Sequence, residues 1–297
     1  MAHLVSLPDS VTAESGGGGL DRLVVSGPAG TAEVHLQGAH VTAWAPRAAD
    51  PVIWMSERSA FESGTPLRGG VPVCFPWFGP HPEGAGPLHG FARIVPWTLT
   101  EAREEGQDVV LLLTLTDADV PADLAAAWPH PFRAQLRVTV GATLTLALEV
   151  TNTGDEMIAF QEAFHTYLTV ADVRTVTIRG LEGSGYLDRL AGMGPSVAEG
   201  EPLFIVGETD RVYQQPGTIL AEDPAGGRTL EVLAEGSANA VVWNPWVAKA
   251  AAMGDFGDDE WIEMVCIETC NVLDDPVTLA PGASHVMSAK VAARPSS

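Results

Sequence analysis

Two arginines, a histidine and a cluster of glycines, prolines and aromatics lie between Arg68 and Arg93. They form RGGVPVCFPWFG, a Pro/Gly-rich connector and HGFAR. Such a span makes poor core and a good binding loop. Glycine lets backbone approach a ligand closely, proline fixes the path of a loop, and a guanidinium fork fits phosphate or carboxylate. Farther on, EAFHTYL holds His165 and MVCIET holds Glu268, both within strand-like, mostly apolar runs. A histidine can change protonation near neutral pH. A carboxylate inside an apolar strand is costly to bury, and burial would raise its pKa toward the range of a useful base. Arg, His, His and Glu from distant segments point to acid–base chemistry on a small polar anion.

Each of these residues also has a plainer reading. Arg68, before Gly69 and Gly70, could pair with a surface carboxylate instead of an anionic ligand. If HGFAR is extended, His89, Phe91 and Arg93 share one wall; otherwise His89 is half-buried and Arg93 solvated. His165 is a general acid or base, or a satisfied core histidine. Strand alternation places it with Ala163 and Tyr167. Glu268 shares a face with Met264, Cys266 and Cys270, or else reaches solvent at a strand end. Asp210, in ETDRVY, is a hydrogen-bond acceptor for hydroxyl groups or an ordinary turn residue. Phe75, Trp77, Phe78, Phe91, Trp243 and Trp246 suit the apolar face of a sugar ring, although core packing is the commoner use.

The elements that must position these residues read as β. Strand patterns occupy 23–26, 33–36, 41–45, 52–55, 109–115, 135–140, 144–150, 159–170, 176–179, 218–221, 230–233, 240–243, 262–268 and 285–291. They are short and β-branched, with turn residues between them. The pair flanking residues 141–143 reads as a hairpin. Helical patterns are scarce, with short turns expected at 56–63 and 122–128. Without βαβ alternation a doubly wound parallel sheet is excluded. A large antiparallel β-sandwich is the expected fold class. No composition break marks a linker, so residues 1–297 are expected to form one domain.

Composition narrows the partners. The 297 residues carry a formal charge of −22, which argues against nucleic acid and anionic membrane surfaces. Three cysteines (Cys74, Cys266 and Cys270) do not make a disulfide framework. The Cys266/Cys270 spacing is weak as a metal pair, and His3, His35, His40, His81, His130 and His285 lack metal-ligand spacing. The glycines at 16–19 follow no strand and precede no Lys-Ser/Thr, so they are not a nucleotide loop. The N-terminal stretch is mixed and polar rather than signal-like, and no apolar run is long enough to span a bilayer. A cytoplasmic protein needing no metal or cofactor is expected.

Read together, GAHVTAW, LRGGVPVCFPWFGP, LHGFARIVPW, WPHPF, FHTYL, LDRL, ETDRVY, VVWNPW and CIET follow one another in a single order from about residue 38 to 270. In that order the chain resembles the hexose-6-phosphate mutarotases, or glucose-6-phosphate 1-epimerases, of the aldose 1-epimerase superfamily, above all their bacterial branch. The resemblance implies a galactose-mutarotase-like supersandwich. It implies cofactor-free interconversion of the α and β anomers of a hexose 6-phosphate, with a monomer as the default for this fold. By the same likeness His165 would be the catalytic acid and Glu268 the base. Arg68 and Arg93 would belong to the substrate and phosphate site, His89 to the site, and Asp210 would contact the sugar. One departure is Leu88, where some members carry Gln. Two rival readings are an epimerase of unphosphorylated aldoses, which would not need paired guanidiniums, and a non-catalytic sugar-binding β-sandwich, which would not need the His165–Glu268 pair.

Overall fold

The computed structural model describes residues 5–214 and 217–296; His3 lies outside them. Two large sheets dominate. The nine-stranded sheet has as its central members Arg228–Glu235, Ser284–Pro295, Leu144–Asn152, Phe132–Val140 and Asp108–Thr116, all antiparallel. Phe132–Val140 and Leu144–Asn152 form the hairpin expected from sequence. Their side chains alternate, with Phe132, Ala134, Leu136, Val138 and Val140 buried and the residues between them facing outward. That period-two pattern marks a sheet with one face in the core.

The second sheet behaves differently. Its central strands, Asn239–Asn244 and Met264–Asn271, are buried at every position, so both of its faces are covered. One face shares a continuous hydrophobic core with the nine-stranded sheet. The strand order through this region is Gly185–Asp188, Thr209–Gln214, Asn239–Asn244, Met264–Asn271, Glu162–Phe164 and Val73–Cys74, with Tyr167–Thr169 also pairing with Met264–Asn271. A four-stranded sheet, Val11–Ser15 to His40–Pro46, adds a further layer. Among the described residues no helix is long and apolar enough to cross a membrane.

Three sequence expectations give way here, and one open alternative closes. Residues 159–170 are not one strand but three short ones, Ile158–Phe160, Glu162–Phe164 and Tyr167–Thr169, and His165 lies in a gap between them. Residues 52–55 make only isolated bridges, Ile53 to Leu168 and Met55 to Gly69. Residues 56–63 form turns and bends rather than helix. HGFAR is a series of turns and not extended, because His89 and Gly90 both have positive φ, 61° and 76°. At 122–128 a short helix does form, over Ala122–Ala125.

Candidate active site

The interrupted strand supplies the site's geometry. Before the gap Phe164 pairs with Thr269; after it Tyr167 pairs with Cys266. The register is the same on both sides, so residue 165 falls opposite residue 268. Directly opposed residues on antiparallel strands project from one face with Cβ atoms about 5 Å apart. His165 Nε2 accordingly lies 3.3 Å from Glu268 Oε1.

The same register carries the pattern across the sheet. Cys266 is opposite Tyr167 on one side and Trp243 on the other. Trp243 is opposite Asp210, and the Arg189 backbone N–H donates to Asp210 O at 2.9 Å. Arg189, Asp210, Trp243, Cys266 and Tyr167 therefore form one row on the face that carries His165 and Glu268. Five strands or strand ends thus deliver seven side chains to one surface. His165 stacks on Tyr167, with centroids 4.8 Å apart, and meets Trp243 edge to face.

The arginine- and histidine-bearing loops close over this surface. Gly69 and Gly70 have φ of 109° and 69°. A Cβ on Gly70 would lie 2.3 Å from His40 Nε2, so glycine is required by both dihedral and space. His40 holds the turn through Nε2 and the Gly69 carbonyl, 2.8 Å apart. Arg68 then donates from Nη1 to Tyr167 Oη at 3.1 Å and pairs with Asp255 at 3.0 Å. In the second loop the His89 backbone N–H donates to Gly79 O, and His89 Nδ1 accepts from the Gly79 N–H. A backbone N–H can only donate, so Nδ1 is unprotonated and Nε2 carries the ring proton. His89 meets His165 edge to face at 5.7 Å. Arg93 is 8% exposed, and its Nη2 donates to Leu88 O at 2.6 Å. Leu88 itself points outward, so it offers this arginine a carbonyl rather than a side chain.

All six candidate residues are thus brought together. Glu268, 1% exposed, is no strand-end carboxylate reaching solvent. Asp210 sits within Thr209–Gln214 and is not a turn residue. His165 and Glu268 form a buried floor, and the half-buried Arg68, Arg189, Asp210 and Asp255 form a rim. Three site residues escaped the sequence reading. Tyr167 was placed on the face of His165 but given no role. Asp255 lies in a loop without a motif. Arg189 lies in LDRL, and only the register connects it to Asp210, which its Nε approaches to 3.8 Å; its guanidinium also sits over the Phe78 ring.

Burial sets the electrostatics. It pushes the Glu268 carboxyl well above the ordinary range, and Asp210 adds to the rise. It pushes His165 well below the ordinary imidazole value, helped by Arg68 and Arg93. His89 is also lowered, by burial and by Arg93. Both shifts favour the uncharged forms, a protonated carboxyl beside a neutral imidazole. A buried acid and base in contact, beneath three guanidiniums, can move a proton at each end of a bound anion's reacting bond.

Comparisons with known proteins agree with this geometry. The family model "Aldose 1-epimerase" matches residues 21–291. A protein of Escherichia coli (strain K12) named "Putative glucose-6-phosphate 1-epimerase" is 35% identical over 277 residues, 93% of this chain and 92% of that one. A protein of Cenchrus ciliaris with the same name is 35% identical over 279 residues, 89% of this chain and 82% of that one. The crystal structure of a "putative mutarotase" from Salmonella typhimurium superimposes with a TM-score of 0.90 at 31% identity, covering 98% of this chain and 96% of that one. A galactose mutarotase related enzyme from Lactobacillus acidophilus, 12% identical, shares the fold with a TM-score of 0.73 over 93% and 98% of the two chains. With the family model matching residues 21–291 and relatives 35% identical over most of its length, the chain belongs to the aldose 1-epimerase family.

Proposed function

We propose that the protein interconverts the α and β anomers of a hexose 6-phosphate, with glucose 6-phosphate as the first substrate to test. The observation that carries this reading is the buried His165–Glu268 pair, 3.3 Å apart beneath Arg68, Arg93 and Arg189. Mutarotation opens a hemiacetal, rotates about C1–C2 and recloses it. Opening removes the proton from O1 and delivers one to the ring oxygen. Glu268 takes the first and His165 gives the second; on closure the roles reverse. Each positioned proton transfer contributes about 10²–10⁴-fold. His89 donates from Nε2 to the ring oxygen or a neighbouring hydroxyl. Asp210 and Trp243 orient the sugar.

The phosphate also bears on the proton balance. Arg68 and Arg93 both hold His165 low. A phosphate dianion that neutralises them favours the imidazolium, placing the proton on the acid as the substrate docks. The charge of −22 opposes this anion only at long range, since screening acts beyond about 8 Å at physiological salt. Charge-assisted bonds to the guanidiniums prevail locally. We read residues 1–297 as one catalytic domain, acting as a cytoplasmic monomer without a cofactor.

The test follows freshly dissolved α-glucose 6-phosphate by NMR with and without enzyme, beside α-glucose. Faster equilibration of the phosphate sugar alone is expected. Equal acceleration of both would make the protein a general aldose epimerase, and acceleration of neither would leave a sugar-binding protein.

A further inference from the structure

Cys266 takes no part in the mechanism above, yet it stands in the same row. Its thiol, His165 and Glu268 present ligand atoms that all lie within 4.8 Å of one another. The three residues are buried, and among the described residues His165 Nδ1 and Glu268 Oε2, the atoms of the pair outside its 3.3 Å Nε2–Oε1 contact, have no hydrogen-bond partner. From this geometry we infer that Cys266, His165 and Glu268 form a site for a thiophilic divalent cation of the zinc class, and that occupancy shuts the enzyme down.

Zinc binds one sulfur, one nitrogen and one oxygen at about 2.3, 2.0 and 2.1 Å, so tetrahedral ligands stand ~3.3–3.7 Å apart. The His165–Glu268 separation of 3.3 Å already matches. Closing the sulfur onto the same point requires a shift of about 1 Å or less. Three protein ligands leave the fourth tetrahedral position to an exchangeable ligand, the arrangement of zinc sites that meet solvent. Binding releases the thiol proton and the carboxyl proton, leaving thiolate and carboxylate to balance the two positive charges. Burial, the largest influence, opposes the thiolate and the carboxylate; Arg68 favours the thiolate and Arg189 and Arg93 the carboxylate, all three opposing the cation, while Asp210 favours the cation and the protonated forms. Cys74 and Cys270 are buried and free as well, but among the described residues neither belongs to a trio of this kind.

Occupancy would remove the lone pairs of acid and base together. Inhibition therefore rests on the proposed function, whereas binding does not. The experiment titrates the protein with Co²⁺, displaces it with Zn²⁺, and follows the thiolate-to-cobalt charge-transfer band and the intense d–d bands of tetrahedral cobalt. Wild-type protein, Cys74→Ala and Cys270→Ala should show both. Cys266→Ala should lose the charge-transfer band and bind Zn²⁺ at least tenfold more weakly, with Cys266→Ser as the second variant should alanine fail to fold. Calorimetry in buffers of different ionisation enthalpy should show proton release in the wild type, reduced in the Cys266 variant. Zinc should inhibit wild-type mutarotation at least tenfold more strongly than that of the Cys266 variant, each measured against its own uninhibited rate. Absence of a charge-transfer band in the wild type, or equal zinc affinity in wild type and variant, overturns the site. A tetrahedral cobalt spectrum in a protein that turns over no sugar upholds the site and overturns the function instead.

Discussion

At the residue scale, Glu268 pits chemistry against stability. Its folded pKa is raised above the unfolded value near 4.5. The folded state thus keeps its proton to higher pH, and the penalty for ionising the buried carboxyl grows as pH rises above 4.5. Glu268→Gln keeps the shape without that penalty. Turnover should fall by about 10²-fold or more, while the melting temperature at pH 7 stays the same or rises, read by NMR anomerisation and calorimetry on one sample. A variant that melts earlier contradicts the electrostatic account, and retained turnover removes the base. Arg68 separates binding from chemistry. A lost charge-assisted bond costs about 1.5–3 kcal/mol, so Arg68→Ala should raise KM about ten- to a hundredfold for a 6-phosphate sugar and much less for the free sugar. Equal effects on both remove the phosphate assignment. His165 and Glu268 were legible in sequence because an ionisable group in an apolar strand is anomalous by itself. Arg189, Asp255 and Tyr167 were not, because their significance lies in which residue sits opposite or across a loop.

The elements explain why. Strands of the nine-stranded sheet such as Phe132–Val140 and Leu144–Asn152 could be read because one face is wet and the pattern alternates. The segment 159–170 read as a single strand because no glycine or proline interrupts it. Its break depends on a bond that sequence does not display, His165 N–H donating to Pro72 O at 3.0 Å. Whether HGFAR is extended stayed open in the sequence because nothing in its composition announces a left-handed histidine. The RGG turn gives a test at this scale. Gly70→Ala places a methyl 2.3 Å from the His40 ring nitrogen at φ 69°. About 1–3 kcal/mol of destabilisation is expected for such backbone strain, together with a higher KM because Arg68 moves with the turn. Urea melts and steady-state kinetics on the one variant measure both.

For the whole molecule, shifted histidines set opposite slopes of stability against pH, with the buried His89 and His165 acting in the same direction as His35 and His40. His40 is held at about 3 and His35 at about 4, chiefly by burial. Their folded values lie below the unfolded 6.5. The stability tied to them is full above 6.5 and is lost as pH falls toward those values. His285 is raised by its hydrogen bond to the buried Glu162 at 3.1 Å. Its contribution is full below 6.5 and is lost as pH rises through its folded value. Urea midpoints should therefore fall on acidification from pH 6.5 to 4.5. They should fall less in His40→Gln, whose amide can still donate to Gly69 O. On the alkaline side, His285→Gln should flatten the decline between pH 6.5 and 8. A His40→Gln profile that tracks the wild type on the acid side contradicts the assignment.

The register that sets His165 against Glu268 has one more consequence. The spacing of the proposed acid and base is fixed by backbone hydrogen bonds between buried strands, whereas the guanidiniums proposed to meet the anion hang from loops. Reaction and recognition are thus mounted on separate supports. Loops can be exchanged to accept a different sugar while the proton-transfer distance stays where the sheet holds it, so the choice of substrate is free to diverge without the chemistry being rebuilt.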